Sequence, residues 1–205
     1  VTLPGRLETL GANPFADCHY LSEVKILGMA MNLRMADGVL FHKNMAHLIW
    51  CSKGKRGKFR IRRAVKVIDS YAFMSCERLT AVTIPDSISF IPKYAFYGCY
   101  AMEIIKIPCS VTSIGDYAFY RCSKLKSVNI PDSVTSIGCY AFYGCSKLKN
   151  VTIPSSVSFV GERAFQSIVF ESDSIPAGAL CYLEDFSDEI KVRWVHPRHP
   201  QLIIQ

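Results

Sequence analysis

The feature that most constrains this chain is a period of 23 residues. Ala72-Phe73, Ala95-Phe96, Ala118-Phe119, Ala141-Phe142 and Ala164-Phe165 recur at that spacing without a slip, and so do Ile84-Pro85, Ile107-Pro108, Ile130-Pro131 and Ile153-Pro154. Leu79, Met102, Leu125 and Leu148 keep the same spacing, each followed three residues later by Val82, Ile105, Val128 or Val151. A unit this short cannot bury its own apolar side chains, so successive units must stack and share one continuous core.

Within the unit, the stretch ending at the Ile alternates with period two. Val82, Ile84 and their equivalents therefore point inward while Thr83 and its equivalents point outward, which predicts short parallel strands. Proline lacks an N–H and should end each strand and turn the chain. The return path carries Val or Ile at positions 88, 111, 134 and 157 and again at 91, 114, 137 and 160, then Gly115, Gly138 and Gly161, which suggest a tight backbone position. The Ala-Phe pair reads as one short helical or 3₁₀ turn. The Phe column, from Phe15 through Phe165, is expected to form a stacked aromatic spine. The predicted fold is a solenoid with short parallel β-strands on one face and loops and short helical turns on the other.

The same frame reaches the N-terminus: Leu10, Phe15, Cys18, Leu21, Val24 and Ile26 copy Ile68, Phe73, Cys76, Leu79, Val82 and Ile84. Leu3-Pro4 copies Ile84-Pro85, so a coil is cut at residue 1, and the chain is expected to start inside a longer solenoid or on a degenerate coil. Between Ile26 and its next equivalent, Ile61, lie 35 residues, twelve more than the period. In that insertion Gly38-Val39-Leu40-Phe41 and His47-Leu48-Ile49-Trp50 flank the polar His42-Lys43-Asn44, which reads as a β-hairpin budding from the stack. One domain is thus expected over residues 1–205. It comprises regular repeats at 1–26 and 61–165, a hairpin-bearing variant unit at 27–60, and a degenerate capping region at 166–205. In the cap, Ile168-Val169-Phe170, Ile175-Pro176 and Ile190-Lys191-Val192 read as final coils or strands.

Half of the chain is hydrophobic and 20% is charged, which excludes a disordered chain. No apolar run of 18 residues occurs, so a membrane-spanning helix is not expected. Val1-Thr2-Leu3-Pro4-Gly5 does not read as an intact signal peptide, which leaves export open. The net charge of +7 is local. Lys53, Lys55, Arg56, Lys58, Arg60, Arg62, Arg63 and Lys66 place eight positive charges in fourteen residues, and the remainder holds sixteen basic against seventeen acidic residues. A phosphate-tracking surface is therefore not expected, and nucleic acid is not a partner on this reading.

Five of the nine cysteines, Cys18, Cys76, Cys99, Cys122 and Cys145, sit three residues after a Phe and should be small buried hydrophobes, mostly as free thiols. Cys51, Cys109, Cys139 and Cys181 share no repeat position, and Cys51 reads as exposed beside Lys53. No CxxC pair supports zinc or a redox site. His196 and His199, bracketed by prolines, mark an exposed tail better than a metal site. No cofactor is expected.

The unit resembles the leucine-rich repeats of the BspA-like, or Treponema pallidum, type. The likeness covers about residues 1–165 and rests on Ile107-Pro108, Val111-Thr112-Ser113-Ile114-Gly115, Ala118-Phe119 and Cys122-Ser123-Lys124-Leu125. Ala36-Asp37-Gly38-Val39-Leu40-Phe41, Leu48-Ile49 and Lys53-Gly54-Lys55 resemble the hairpin-bearing variant of these repeats. Arg62 departs from the pattern where later coils have Pro. The resemblance implies a leucine-rich repeat solenoid in a cell-surface or secreted protein, adhesion to host extracellular or cell-surface proteins or to other cells, and no catalytic residues to carry over.

The residues themselves point the same way. No G-x-S-x-G, H-E-x-x-H or glycine-rich phosphate loop occurs, so an enzyme is not expected. A solenoid presents a regular face whose outward residues vary without disturbing the core. The candidate protein-binding residues are Lys25, Thr83, Ile104, Lys106, Lys126, Ser127, Asn129, Lys149, Asn150 and Thr152. A competing candidate is the basic patch of Lys53, Lys55, Arg56, Lys58 and Arg60 beside the hairpin. The alternative role is a spacer carrying other domains. The chain is expected to be a monomer, with self-association through an open strand edge as the exception.

Overall fold

The computed structural model describes residues 1–166 apart from 9, 12–13, 16–17, 19 and 29–31. The capping region and His196 and His199 lie outside the described residues. Five strands make the main sheet: β6 (Gly57–Arg60), β8 (Leu79–Thr83), β10 (Ile104–Lys106), β12 (Ser127–Asn129) and β14 (Asn150–Thr152), all parallel. Each strand pairs with the residue 23 positions on, as in Val82↔Ile105 and Ile105↔Val128. β8, β10, β12 and β14 stop before Ile-Pro, where the missing N–H would leave a gap in the ladder, while β6 stops at the same place before Ile61-Arg62.

The return path holds a second parallel sheet that the sequence reading did not foresee. It consists of β9 (Phe90–Ile91), β11 (Ser113–Ile114), β13 (Ser136–Ile137) and β15 (Phe159–Val160). Ile91, Ile114, Ile137 and Val160 face the core from it. No helix occurs among the described residues. The Ala-Phe segment is a run of single turns closed by 3₁₀-type bonds, in line with the expected short turn, such as Tyr97 N–H to Tyr94 O and Cys99 N–H to Phe96 O. A left-handed residue opens each run, Tyr94 at φ +57°, Tyr117 at +54° and Tyr140 at +55°, and such a residue does not propagate a helix.

Contacts between coils repeat as strictly as the sequence. Phe73, Phe96, Phe119, Phe142 and Phe165 stack at centroid distances of 5.0, 5.3, 5.0 and 5.2 Å. The Phe96 and Phe119 amides donate to Ala118 O and Ala141 O of the next coil. The thiols of Cys99, Cys122 and Cys145 donate back to Phe73 O, Phe96 O and Phe119 O at 3.1, 3.3 and 3.2 Å. Ser110, Ser133 and Ser156 do the same to Ile88 O, Val111 O and Val134 O. These amides, thiols and hydroxyls each thus have a partner in the adjacent coil, which is what a buried polar group requires. The coils approach most closely at the repeated glycines: a Cβ would sit 2.5 Å from the Asp116 backbone nitrogen at Gly138 and 2.3 Å from the Cys139 backbone nitrogen at Gly161.

The insertion corrects three expectations. The hairpin exists, but as part of a three-stranded antiparallel run, β3 (Leu33–Ala36), β4 (Val39–His42) and β5 (His47–Cys51), whose last strand pairs in parallel with β7 (Val67–Ile68). It does not bud outward. Its residues Val39, Phe41, Leu48 and Cys51 enter the main core, while Leu40, Ile49 and Trp50 join a second cluster with Val24, Leu33, Leu3, Leu10, Phe15, Leu21 and Ile26. The Phe spine accordingly runs from Phe73, and Phe15 meets Trp50 instead, at 5.8 Å. The period still holds locally, since β1 (Thr2–Pro4) pairs with β2 (Lys25–Leu27) in the register Leu3↔Ile26. Cys18 is exposed and Cys51 is buried, the reverse of the sequence reading, because an apolar sheet with two covered faces divides one core into two.

Candidate functional site

The main sheet has an inward and an outward set of side chains fixed by the two-residue pleat. Val82, Ile105, Val128 and Val151 are buried, whereas the outward columns change from coil to coil. One column runs Lys58, Ala81, Ile104, Ser127, and the other Arg60, Thr83, Lys106, Asn129, Thr152, while Asn150 continues the register of Ser127 in β14. The structure therefore joins the two candidates that the sequence kept apart. Lys58 and Arg60 of the basic run stand on the first strand of the same sheet that carries Ile104 and Lys106.

Ile104 is 56% exposed, and a large apolar side chain standing out of a polar face can anchor a contact. Beside it Lys126 Nζ lies 2.6 Å from Glu103 Oε2, and that hydrogen bond, reinforced by the lysine charge, holds the Glu103 carboxyl below its ordinary pKa. Lys106, Ser127, Asn129, Lys149 and Thr152 are exposed and Thr83 is half-buried. Lys25 is not on this face. It lies in β2 of the separate two-stranded sheet and pairs with Glu23 at 3.4 Å.

The basic run also divides. Lys53 Nζ donates to Cys18 O at 3.0 Å, and its burial lowers its pKa. Lys55 Nζ donates to Asp37 O at 2.7 Å, pairs with the Asp37 carboxylate at 3.2 Å and lies 4.9 Å from the centre of the Phe59 ring. These two lysines fasten the loop to its surroundings and do not belong to an open patch. Arg56, Lys58 and Arg60 are exposed, as are Arg62, Arg63 and Lys66.

Chemistry of other kinds finds little to work with. Burial pushes the Cys99 and Cys122 thiols far up and Cys145 to about 12, and Cys76 is raised by a hydrogen bond with the Cys51 side chain and then by burial. A thiol held neutral in this way is a poor nucleophile. His47 Nε2 and Asp69 Oδ1 are 2.5 Å apart and His42 stacks on His47 at 4.7 Å, which ties β5 to β7. Among the described residues no three His, Cys, Asp or Glu side chains are grouped to hold a metal. No helix among them is long and apolar enough to cross a membrane.

Two surface features escaped the sequence reading. Tyr71, Tyr94, Tyr117 and Tyr140 stack at 4.7, 4.8 and 4.9 Å, and Tyr97, Tyr120 and Tyr143 form a parallel row at 4.8 and 5.1 Å. Both rows follow the 23-residue period and were legible from it. An open groove between β2 and β3, lined by Ile26, Leu27, Leu33 and Met35 with Lys25, Arg34 and Lys43 at its margin, has no counterpart in the repeat pattern.

Comparison with known proteins bears on what this architecture is. A leucine rich cell surface protein of Faecalibacterium prausnitzii superposes with a TM-score of 0.74 at 30% identity, over 84% of this chain and 48% of that one. The pneumococcal vaccine antigen PcpA superposes with a TM-score of 0.69 at 25% identity, over 90% of this chain and 50% of that one. A leucine rich repeat protein of T. pallidum, at 24% identity and a TM-score of 0.57 over 71% of this chain and 70% of that one, shares the fold. The chain thus spans about half the length of the first two structures. No curated protein matches it. The model of the BspA type leucine rich repeat region matches residues 50–176 in six copies, and with the coil geometry above it shows that this chain belongs to the BspA type leucine rich repeat family.

Proposed function

We propose that this chain is a non-catalytic protein-binding module of a bacterial cell-surface or secreted protein, and that it acts in adhesion through the outer face of the main sheet. The observation that carries the reading is the contrast between columns. Inward positions hold Val or Ile in β8, β10, β12 and β14, while the outward ones run through Ala81, Ile104 and Ser127, and through Thr83, Lys106, Asn129 and Thr152. A scaffold whose core is constant and whose face is free to vary suits recognition of a protein surface, and it offers no convergent groups for chemistry. The similarity to a cell surface protein supports the location.

The test is a solid-phase binding screen of the chain against purified extracellular matrix and plasma proteins, with Lys106→Ala, Asn129→Ala and Thr152→Ala combined in one variant. Binding to a matrix or plasma protein that falls about tenfold in the variant, at an unchanged melting temperature, is the expected result. Equal affinity of variant and parent would overturn the reading of this face.

A further inference from the structure

The strand β6 forms the N-terminal edge of the main sheet. It stands last in the order β14-β12-β10-β8-β6, and no strand pairs with its other side among the described residues. Ile61 N–H donates to Thr83 O across the β8 side at 3.0 Å. Alternation along a parallel strand then gives Phe59 and Ile61 the β8 side and leaves the N–H and C=O groups of Lys58 and Arg60 directed off the open edge.

The side chains above that edge are all of one sign. Arg56, Lys58, Arg60 and Arg62 are exposed at every second position, a spacing of about 6.8 Å on an extended strand. None of the four takes part in an ion pair among the described residues. No Asp or Glu occurs between Asp37 and Asp69. Below the edge, Phe59 is half-buried and packs against the core. One strand thus offers cations on its outer side, an apolar ring on its inner side, and free backbone groups between them.

We infer that the β6 edge binds an extended acidic segment of a partner protein, added to the sheet as a further strand whose carboxylates face Lys58 and Arg60. The inference rests on the reading of the outer sheet face as the binding surface and names the chemistry recognised at its first strand. The required ligand alternates acidic and apolar residues. Carboxylates two residues apart meet Lys58 and Arg60 across the pair, and the apolar residue between them covers Phe59. Backbone hydrogen bonds supply the docking and the alternation supplies the selectivity, as in other cases of strand addition. A basic edge can also serve only to repel other strands, and this is the rival explanation that the experiment must separate.

The probe is a capped nonapeptide of alternating glutamate and valine, labelled for fluorescence anisotropy and titrated with the chain at 50 and 200 mM salt. Its comparators are a peptide of the same composition with the glutamates in one block, an alternating peptide N-methylated at every second amide, and a heparin-derived octasaccharide. The alternating peptide should bind about tenfold tighter than the block and N-methylated peptides, and weaken with salt. Lys58→Glu combined with Arg60→Glu should abolish that binding, and the milder Lys58→Ser with Arg60→Ser should reduce it without lowering the melting temperature. Equal binding of the block peptide or tighter binding of the octasaccharide would show a charge patch without strand addition and overturn the inference. So would absence of peptide binding, whether or not the serine variant self-associates. The variant in Lys106, Asn129 and Thr152 retains peptide binding on this account, so failure of the edge and failure of the central face give different outcomes.

Discussion

In the regular stack Phe96 has Phe73 on one side and Phe119 on the other, at 5.0 and 5.3 Å, and every coil repeats the arrangement. In the N-terminal unit the corresponding Phe15 faces Trp50 in a separate cluster. Both regions carry the 23-residue register, since Leu3 pairs with Ile26 just as Val82 pairs with Ile105. What separates them is the sheet of β3, β4 and β5, which is apolar on both faces and so turns one side chain set to each core. A shared repeat therefore sets which residues lie over one another locally. It does not ensure a single core when an insertion brings a sheet of its own.

The comparison can be broken most forcefully by deleting a ring from each side. Phe119→Ala should cost about 3 to 5 kcal/mol and, because both neighbouring coils lose a stacking partner, lower the unfolding midpoint of the whole stack in urea. Trp50→Ala removes a side chain that is only 4% exposed and should cost about 3 kcal/mol, at the low end of such deletions. Its effect should be confined to the second cluster, read as protease cleavage within residues 1–35 while the stack that holds Val39, Phe41, Leu48 and Cys51 stays intact. A single shared transition in both variants would mean that the two clusters form one cooperative core after all.

Smaller perturbations sharpen the account of the stack. Gly138→Ala forces a methyl group against the Asp116 backbone at 2.5 Å and should cost about 1 to 3 kcal/mol, measured by urea denaturation. The thiol column makes stability depend on alkaline pH. Folding raises Cys145 to about 12, so the folded chain keeps a proton that the unfolded chain releases above about pH 9. The stability present below that pH should decline as pH rises through 12, by up to about 1.4 kcal/mol per unit for each such thiol. Burial raises Tyr97 and Tyr117 as well, which adds to the loss with the same sign. A Cys145→Ala variant should show a shallower decline in denaturation measured between pH 8.5 and 10.5.

The sequence made the stack legible because each buried column recurs: Val82, Ile91, Phe96 and Cys99 all return 23 residues later as residues of the same kind or the same fit. The second sheet was not legible, since strands of two residues such as Ser113–Ile114 leave no alternation to detect. The hairpin was visible from its turn and its apolar flanks. Its place was not, because Val39-Leu40-Phe41 is apolar on both sides and only the partners decide which side meets which core. The face was read in the right register on β8 to β12, but Lys58 and Arg60 were read as a separate basic patch beside the hairpin. Their strand begins within the basic run, and charge masked the alternation that Phe59 and Ile61 carry beneath it.

Amide hydrogen exchange under native conditions tests the central claim most directly. The amides of Phe73, Phe96, Phe119 and Phe142 each bond to an Ala carbonyl of the next coil, at 2.8, 2.8, 2.7 and 2.7 Å. The account predicts that these four exchange together, with the free energy of unfolding the whole stack, while the Lys25 amide, bonded to Val1 O at 2.9 Å, exchanges faster and independently. Four unrelated exchange rates along the Phe column, or protection of Lys25 equal to theirs, would contradict it.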